Sequence, residues 1–392
     1  MKVCIVGAGP AGSMAGLEFA KRGAQVIIFD PSHPREKPCG GGLTGKALAL
    51  LPEGPARDPL PARRVSSCRF DTARGLMLEL DLGEPVGIVA RSEFDSWLLR
   101  RAVEAGARHS NDRVTRVDAT GRVKTLAGLE ETFDLVVGAD GANSLVRRTF
   151  LTATPKERRW MACGWYARGD SEMVVRFLKD VEGYLWLFPR AGHVGVGIGA
   201  PLGHPPTRDL LALLEREVAR AFPAMARDED TPYYAHTIPS PGEDGATFRE
   251  MSGERWALVG DAAAVADPIT GEGIYYALRS GQLLAEVVSG GGTPHKYAER
   301  AMEEFGHDLM RAARLYKRFF AKGFTDRMLD YADRSPALSR VMVDLVLGKQ
   351  DYMSLKKRLV MTLPRLALDV ATHPARKALR RLRSGLTQAP RS

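Results

Sequence analysis

The feature that most constrains this chain is a glycine-rich turn near its start, Gly7-Ala8-Gly9-Pro10-Ala11-Gly12. The turn follows the apolar run Val3-Cys4-Ile5-Val6, which predicts a buried strand, and it precedes a predicted helix. In this GxGxxG pattern, Gly7 permits the tight turn, Gly9 lets a pyrophosphate approach the backbone, and Gly12 lets helix and strand pack closely. The phosphates would then bind the free N–H groups at the helix N-terminus.

A second predicted strand, Gln25–Phe29, ends at Asp30, eighteen residues after Gly12. A carboxylate at this place can accept a hydrogen bond from a ribose 2′-OH, which favours an adenosine without a 2′-phosphate. The alternative is a chance glycine turn in an unrelated α/β unit. Strand, turn, helix, strand and acid in this order favour a nucleotide-binding βαβ unit.

Two later segments favour FAD over NAD. The first, Gly138-Ala139-Asp140-Gly141-Ala142-Asn143-Ser144, follows a predicted strand. The second is a strand pattern that starts at Trp256 and delivers Asp261 at its C-terminal end, where a carboxylate could accept hydrogen bonds from ribityl hydroxyls. Gly271 and Gly273 open the next predicted helix, whose N-terminus would stabilise an anionic reduced flavin.

These three motifs, over roughly residues 1–285, resemble those of the p-hydroxybenzoate hydroxylase-type flavoprotein superfamily. The resemblance implies that Arg91 meets the FAD pyrophosphate and that the backbone of Val114 contacts adenine. A solvated charge beside a helix start is the alternative for Arg91. The predicted FAD-contacting residues are Gly7, Gly9, Ala11, Gly12, Asp30, Cys39, Gly40, Gly42, Arg91, Val114, Asp261, Gly271, Gly273 and Ile274.

Other segments resemble the geranylgeranyl reductases of that superfamily. Lys37-Pro38-Cys39-Gly40-Gly41-Gly42-Leu43 is similar to their cysteine–glycine loop. Tyr184-Leu185-Trp186-Leu187-Phe188-Pro189, followed by Gly197-Ile198-Gly199, is similar to their YxWxFP…GxG signature, and the stretch 271–281 resembles the bacterial and plant branch. The resemblance implies hydride transfer from reduced flavin N5, plus a proton, to isolated C=C bonds of geranylgeranyl chains in lipids, chlorophyll precursors or quinones. With no second GxGxxG domain, either NADPH binds transiently or a ferredoxin-type protein reduces the flavin.

The candidates for chemistry beyond cofactor binding are Cys39, Tyr184, Trp186 and Phe188. Strand alternation puts the three aromatic residues on one face, where they could wall an apolar tunnel for an isoprenoid chain. Packing in the core of a sheet is the alternative for them. Cys39 could donate the proton, position the substrate, or only pack against FAD.

Hydroxylases and halogenases of the same superfamily are the competing enzyme classes. A halogenase needs a catalytic lysine, and Lys37 and Lys46 lack supporting context for that role. A flavin-bearing module that only binds a lipid or a partner is the non-enzymatic alternative. An oxygen or halide added to the product would separate the competing enzymes from a reductase.

The fold class that follows is an α/β FAD-binding Rossmann-type domain, p-hydroxybenzoate hydroxylase-like, interleaved with an α+β antiparallel-sheet substrate domain. A helical C-terminal region completes the chain, with breaks predicted at Ser335-Pro336 and at Pro364. The predicted segments are 1–60, 88–155 and 253–290 for the FAD-binding domain, 61–87 and 156–252 for the sheet domain, and 291–392 for the helical region.

Cysteine and histidine usage gives no sign of a metal or a disulfide framework. The four cysteines form no CxxC pair and the eight histidines are scattered singly, so no metal site is expected. The start of the chain lacks the pattern of a signal peptide, and no apolar run is long enough to span a bilayer. A cytoplasmic protein is expected, and a monomer.

Most of the net charge of +9 lies at the C-terminal end. Residues 351–392 hold ten Lys or Arg and two acids, a net +8. An apolar stripe at helical spacing lies in this tail, formed by Leu355, Leu359, Thr362, Leu363 and Leu366, and a second basic cluster follows at 376–383. This pattern predicts peripheral contact with an anionic membrane on its inner face, with a solvated tail as the alternative. No aromatic residues interleave with the last basic cluster, so nucleic acid is not expected as a partner.

Overall fold

The computed structural model describes residues 1–54, 56 and 58–386, with side chains described up to His373. The strands are β1 (Lys2–Val6), β2 (Gln25–Phe29), β3 (Gly42–Leu43), β4 (Ala62–Thr72), β5 (Met77–Val89), β6 (Arg108–Ser110), β7 (Val114–Val117), β8 (Arg122–Thr125), β9 (Glu130–Thr132), β10 (Leu135–Gly138), β11 (Arg159–Arg168), β12 (Val174–Phe177), β13 (Tyr184–Pro189), β14 (His193–Pro201), β15 (Tyr234–Pro239) and β16 (Trp256–Leu258).

The α-helices of the described chain alternate with these strands and then follow them. They are α1 (Pro10–Lys21), α2 (Gly45–Leu48), α3 (Arg91–Glu104), α4 (Leu145–Phe150), α5 (Thr207–Ala221), α6 (Ala246–Glu250), α7 (Ile274–Ser289), α8 (Pro294–Ala301), α9 (His307–Phe319), α10 (Phe324–Arg334), α11 (Pro336–Val346) and α12 (Tyr352–Leu386). A single π-helical turn, Met302–Gly306, joins α8 to α9.

A five-stranded parallel sheet in the order β16-β10-β1-β2-β6 forms the nucleotide-binding layer. Its strands are short buried runs such as Val3–Val6, as expected for a parallel sheet that helices cover. Helix α1 packs on both α3 and α7. The approach of α7 to α1 is close because Gly281 has no side chain: a Cβ there would lie 2.4 Å from the carbonyl oxygen of Ala11.

An eight-stranded sheet in the order β15-β11-β14-β13-β12-β4-β5-β3 forms a second layer. Its pairs are antiparallel except for β12 with β4. Helix α5 packs on β11 and β14, and the core on that face includes Leu185 and Leu187. A three-stranded antiparallel sheet, β7-β8-β9, is formed by the segment between β6 and β10 of the parallel sheet. The α/β and antiparallel-sheet architecture agrees with the predicted fold class, while the predicted domain boundaries stay predictions.

Helices α9 to α12 contact one another, and α10 and α11 contact β5. The predicted break at Ser335-Pro336 is confirmed: α10 ends at Arg334, and Ser335 caps α11 by accepting a hydrogen bond from the Leu338 amide. The predicted break at Pro364 is wrong, because α12 runs through it. The carbonyl that loses its partner there belongs to Val360, which is 56% exposed, so water can satisfy it.

No helix in the part of the chain that the structure describes has the length and apolar character needed to cross a bilayer.

Candidate active site

One cavity of about 1290 Å³ opens between the carboxyl ends of the parallel strands, one face of the eight-stranded sheet, and the C-terminal helices. Every predicted cofactor, catalytic and substrate residue except Gly12 lines it. Ligand sites typically occupy roughly 300–1,000 Å³. The larger volume leaves room for a second ligand beside a cofactor.

The glycine turn begins the cavity. Gly7 has φ +102°, and a Cβ there would lie 2.5 Å from the carbonyl oxygen of Ala139. A Cβ on Gly12 would lie 1.9 Å from the carbonyl oxygen of Gly7, so Gly12 serves close packing and does not reach the cavity. At Gly9, the N-cap of α1, the nearest atom to an added Cβ is Arg35 Nη2 at 3.7 Å. The start of α1 therefore presents open backbone to the cavity, which suits a phosphate.

Asp30 is fixed at the end of β2 with its carboxylate on the cavity. The amide of Ala8 donates to Asp30 Oδ2 at 2.8 Å, and the amide of Ser32 donates to Oδ1 at 2.8 Å. Burial alone would raise the pKa of Asp30, but these hydrogen bonds outweigh burial and lower it. The Asp30 carboxylate is therefore an ionised acceptor for a ribose hydroxyl. Val114, the predicted adenine contact, lines the same cavity.

Arg91 is buried, not solvated, with 4% of its surface exposed. Its Nε and Nη2 donate to the two carboxylate oxygens of Asp95, each at 2.7 Å. Burial lowers the pKa of Arg91, yet Asp95 and the Cys39 thiol outweigh that effect and raise it. Arg35 also lines the cavity, with Nη1 4.0 Å from Asp95. Two guanidinium groups thus lie at this end of the cavity, where they suit a pyrophosphate.

Asp261 lines the same cavity and forms an ion pair that the sequence did not predict. Lys37 Nζ donates to Asp261 Oδ2 at 2.6 Å. Burial raises the pKa of Asp261, but Lys37 outweighs burial and lowers it overall. His236 lines the cavity near this pair, and burial together with Lys37 lowers the pKa of His236 to about 4. Its Nε2 has no hydrogen-bond partner among the described residues.

The cysteine–glycine loop lines the cavity next to the aromatic strand β13. Cys39 is half-buried on the cavity, whereas the other three cysteines, Cys4, Cys68 and Cys163, are buried. Gly41 has φ +81° and its amide donates to Cys39 Sγ at 3.3 Å. A Cβ on Gly40 would lie 2.7 Å from the Phe188 ring, so only glycine lets the loop approach that ring.

Arg190 holds this loop in place, and sequence reasoning missed it. The side chain is buried, and its Nη2 donates to the carbonyl oxygen of Cys39 at 2.6 Å while Nη1 donates to Glu36 at 2.8 Å. The guanidinium carbon lies 4.7 Å from the centroid of the Tyr166 ring. The only sequence signal was its position directly after the Tyr184–Pro189 strand.

The prediction that Tyr184, Trp186 and Phe188 share one strand face is confirmed, since all three line the cavity and the leucines between them pack in the other core. Trp186 pairs with Gly197 on β14, where a Cβ would lie 2.2 Å from the Trp186 ring. The GxG part of the signature therefore makes room for the tryptophan. Trp186 is buried, and its Nε1 has no partner among the described residues.

The cavity continues into an apolar branch walled by the sheet and by helices α9 to α12. Phe70, Met173 and Phe177 line it from the sheet. The apolar stripe of α12 lines it from the other side, and the predicted contact of this tail with a membrane stays a prediction. The members of the stripe are Leu355, Leu359, Thr362, Leu363 and Leu366. The stripe is apolar because it faces this branch. The second basic cluster, 376–383, has side chains outside the described residues.

Tyr352, the first residue of α12, is hydrogen-bonded to the loop that precedes α7. Tyr352 donates from its hydroxyl to Asp267 Oδ2 at 2.9 Å, and Asp267 Oδ1 accepts from the Ile269 and Thr270 amides at 2.7 and 3.0 Å. Thr270 lies in the loop that leads into α7, which begins at Ile274. The helix that walls the apolar branch is thus anchored to the predicted flavin site.

The arrangement fits FAD. An open helix N-terminus with two arginines suits the pyrophosphate, Asp30 and Asp261 suit the hydroxyls of ribose and the ribityl chain, and the orphaned Trp186 Nε1 and His236 Nε2 mark buried polar atoms that need a ligand. Among the described residues, no group of His, Cys, Asp or Glu side chains could hold a metal ion.

Residues 1–296 match the family model described as FAD binding domain. The geranylgeranyl diphosphate reductase of Rhodobacter capsulatus is 31% identical over 301 residues, which cover 72% of this chain and 73% of that protein. The menaquinone reductase of Mycobacterium tuberculosis is 29% identical over 351 residues, covering 80% of this chain and 82% of that protein.

Solved structures confirm the predicted fold class. A geranylgeranyl bacteriochlorophyll reductase-like protein from Thermoplasma acidophilum has a TM-score of 0.75 at 22% identity and covers 91% of this chain and 98% of its own. A flavin-dependent brominase has a TM-score of 0.72 at 22% identity, covering 89% and 94%. At these identities the likeness concerns the fold alone. The 31% identity to the Rhodobacter capsulatus reductase, over 72% of this chain, shows that the chain belongs to the geranylgeranyl reductase family of FAD-dependent oxidoreductases.

Proposed function

We propose that this protein saturates isolated C=C bonds in a geranylgeranyl-type isoprenoid chain. The observation that carries the proposal is the continuity of one cavity, from the residues predicted to hold FAD to an apolar branch among the C-terminal helices. A branch lined by Phe70, Phe177 and the α12 stripe offers apolar contacts to a long prenyl chain.

The residues of this chain would position the alkene and exclude water. Bound FAD, once reduced, supplies the hydride. The aromatic face of β13 lies at the junction between the two parts of the cavity, with Phe188 against the Cys39 loop. A half-buried thiol at this junction is the candidate proton donor to the second alkene carbon, because a proton must arrive where bulk water cannot.

The names of the relatives support an isoprenoid substrate without fixing its head group. One relative is a geranylgeranyl diphosphate reductase and another is a menaquinone reductase. The feature shared by a geranylgeranyl diphosphate and a menaquinone is a polyprenyl chain. We therefore place the chain, not the head group, in the apolar branch.

Two side chains argue against a halogenase. That activity would need a free lysine ammonium in the cavity, and both candidates are engaged in ion pairs. Lys37 is bound to Asp261, and Lys46 Nζ lies 2.9 Å from Glu272 Oε2 and 4.1 Å from the Tyr275 ring centroid. The brominase likeness, at 22% identity, concerns the fold.

The electron donor in this proposal is NADPH, bound transiently, or a ferredoxin-type protein. The nucleotide-binding turn at Gly7–Gly12 is taken by FAD, and the sequence holds no second GxGxxG domain for a nicotinamide. Stopped-flow reduction of the bound flavin by NADPH, compared with reduction by a ferredoxin-type protein, separates the two donors.

Mass spectrometry of the product tests the proposal. The dithionite-reduced, FAD-loaded protein should add two hydrogen atoms per reduced bond to geranylgeranyl diphosphate. Leu355→Trp, which fills the apolar branch, should suppress this reaction while keeping FAD bound. Met353→Trp is the matched control, since Met353 is 61% exposed on the same helix and does not line the cavity. A product with an added oxygen or halide would falsify the reductase assignment.

A further inference from the structure

Exposed apolar side chains are concentrated at one place. Of the fourteen large apolar side chains that are exposed among the described residues, eight lie between residues 324 and 368. They are Phe324, Tyr331, Met353, Leu359, Val360, Met361, Leu363 and Leu368. Single exposed apolar residues need no explanation, but such a concentration marks an interaction surface.

Helix α12 is apolar on two opposite sides. One side is the stripe that lines the cavity. The other side carries Met353, Val360, Met361 and Leu368, which are 61%, 56%, 70% and 62% exposed and do not line the cavity. Their spacing of seven, one and seven residues places them on one face of a helix with 3.6 residues per turn. Nothing among the described residues covers this face.

Basic residues surround that face. Lys356, Lys357 and Arg365 are exposed and form no ion pair with any side chain that the structure describes. Arg318 and Arg327 are exposed on the lining of the cavity and are likewise without an ion pair among the described side chains. A helix with exposed apolar residues flanked by cations complements an anionic phospholipid surface, in which the apolar side chains enter the interface and the cations meet the headgroups.

The entrance to the cavity lies along the same helix. Leu359 and Leu363 line the cavity and are still 38% and 55% exposed, and Phe324 and Tyr331 on α10 share both properties. The apolar branch therefore opens at a rim of exposed apolar side chains. A bilayer fits such a rim better than a folded protein does, because the rim continues into an apolar cavity that lipid chains can enter.

We propose that the outer face of α12, defined by Met353, Lys356, Lys357, Val360, Met361, Arg365 and Leu368, docks on an anionic phospholipid bilayer and sets the cavity entrance against it. Entry of a prenyl chain from the bilayer rests on the proposed function. The docking itself does not, since it needs neither substrate nor turnover.

Flotation of the full-length, FAD-loaded protein with vesicles tests the docking. Binding is expected to vesicles of phosphatidylcholine with phosphatidylglycerol, to weaken at high salt, and to be much weaker on phosphatidylcholine alone. Reversing two charges, Lys356→Glu with Lys357→Glu, should weaken binding on the order of tenfold or more. Met353→Ser with Met361→Ser should weaken it on both kinds of vesicle, because the apolar contribution does not depend on lipid charge.

Matched controls lie on surfaces away from α12. Arg208→Glu with Arg216→Glu reverses two exposed charges on α5, on the opposite face of the eight-stranded sheet from the cavity. Leu126→Ser with Leu129→Ser removes exposed apolar groups at the β8–β9 turn. Both controls should bind like the unmodified protein. Failure of the unmodified protein to bind anionic vesicles, or equal losses in the α12 and control variants, would overturn the docking. The proposed reductase activity is tested separately, on a detergent-solubilised substrate, and neither docking result bears on it.

Discussion

The buried guanidinium of Arg190 donates a hydrogen bond of 2.6 Å to the backbone carbonyl of Cys39. Its other terminal nitrogen bonds Glu36, which also accepts from the amide of Ser92 at 3.0 Å. The segment after the aromatic strand, the cysteine loop and the start of α3 thus share one hydrogen-bond network, in which Arg190 is buried and Glu36 is exposed. Arg190 is a positioning residue: it fixes where the Cys39 thiol stands relative to the rest of the cavity.

Replacing Arg190 should loosen the cysteine loop without removing the thiol. Arg190→Met removes the donor to the Cys39 carbonyl and the cation beside Glu36, which keeps its bonds from Ser92. A hydrogen bond to a charged group contributes about 1.5–3 kcal/mol. We expect faster alkylation of Cys39 by iodoacetamide, lower turnover, and partial recovery of both in Arg190→Lys. A purely structural role would instead lower the melting temperature and leave the alkylation rate of the folded protein unchanged.

The thiol itself is tested by Cys39→Ala and Cys39→Ser. If Cys39 is the proton donor, alkene reduction should fall by about 10²-fold in Cys39→Ala, the usual scale for losing a general acid, with FAD still bound. Cys163→Ala serves as the control, because Cys163 is buried on the opposite face of the sheet. An undiminished rate in Cys39→Ala would leave Cys39 as a packing residue.

Asp261 should control the affinity for FAD. Asp261→Ala removes the acceptor for ribityl hydroxyls, and a hydrogen bond to a charged group contributes about 1.5–3 kcal/mol, or roughly 10- to 100-fold in Kd. Fluorescence titration of the flavin measures the change. Asp261→Asn separates loss of charge from loss of the side chain, and Asp180→Ala, at an exposed position, is the control. Full FAD occupancy in Asp261→Ala would remove Asp261 from the binding site.

The pKa of His236 should respond to Lys37. Burial and the Lys37 ammonium hold it at about 4, while Asp261 acts to raise it. Lys37→Met removes a cation and leaves the carboxylate, so the pKa of His236 should rise toward the ordinary value of about 6.5. NMR titration of the imidazole in flavin-free protein measures it, with His236→Gln to assign the signal and Lys179→Met as the control. A pKa that stays put or falls in Lys37→Met would contradict the ion-pair geometry.

The same shift gives a sign for stability. The unfolded chain binds a proton on His236 below pH 6.5, and the folded chain does not until about pH 4. His236 therefore makes its full contribution to the free energy of unfolding above about pH 6.5, and this contribution is lost as the pH falls from about 6.5 to about 4. In Lys37→Met, whose folded pKa is higher, less should be lost, and denaturant unfolding at pH 7 and pH 4.5 can measure the difference.

The sequence sufficed wherever a local pattern dictates the backbone. Gly7 and Gly12 predict their turn because a side chain at either position would clash with the backbone. Tyr184, Trp186 and Phe188 alternate along a strand, so they must lie on one face of it. Asp30 and Asp261 follow two strands of one parallel sheet and line one cavity, as expected because the carboxyl ends of parallel strands share one edge.

Partners that meet only in the folded chain were beyond the sequence. Lys37 and Asp261 are 224 residues apart, and Arg190 and Cys39 are 151 apart. The α12 stripe shows a different limit of the sequence: helical periodicity indicates that a face is covered, and a cavity covers Leu355 as well as a membrane would. The break predicted at Pro364 does not occur, because the free-energy cost of a proline inside a helix depends on whether water reaches the carbonyl that loses its partner. The sequence does not reveal that solvation.

The most direct test of the central claim is an anaerobic single turnover. FAD-loaded protein is reduced with dithionite, freed of excess reductant, and mixed with geranylgeranyl diphosphate while flavin absorbance is recorded. We expect the flavin to reoxidise without oxygen, with one alkene saturated per flavin, and we expect Leu355→Trp to abolish this reaction while Met353→Trp does not. Flavin that stays reduced with this substrate until oxygen is admitted, and then yields an oxygenated product, would contradict the reductase assignment.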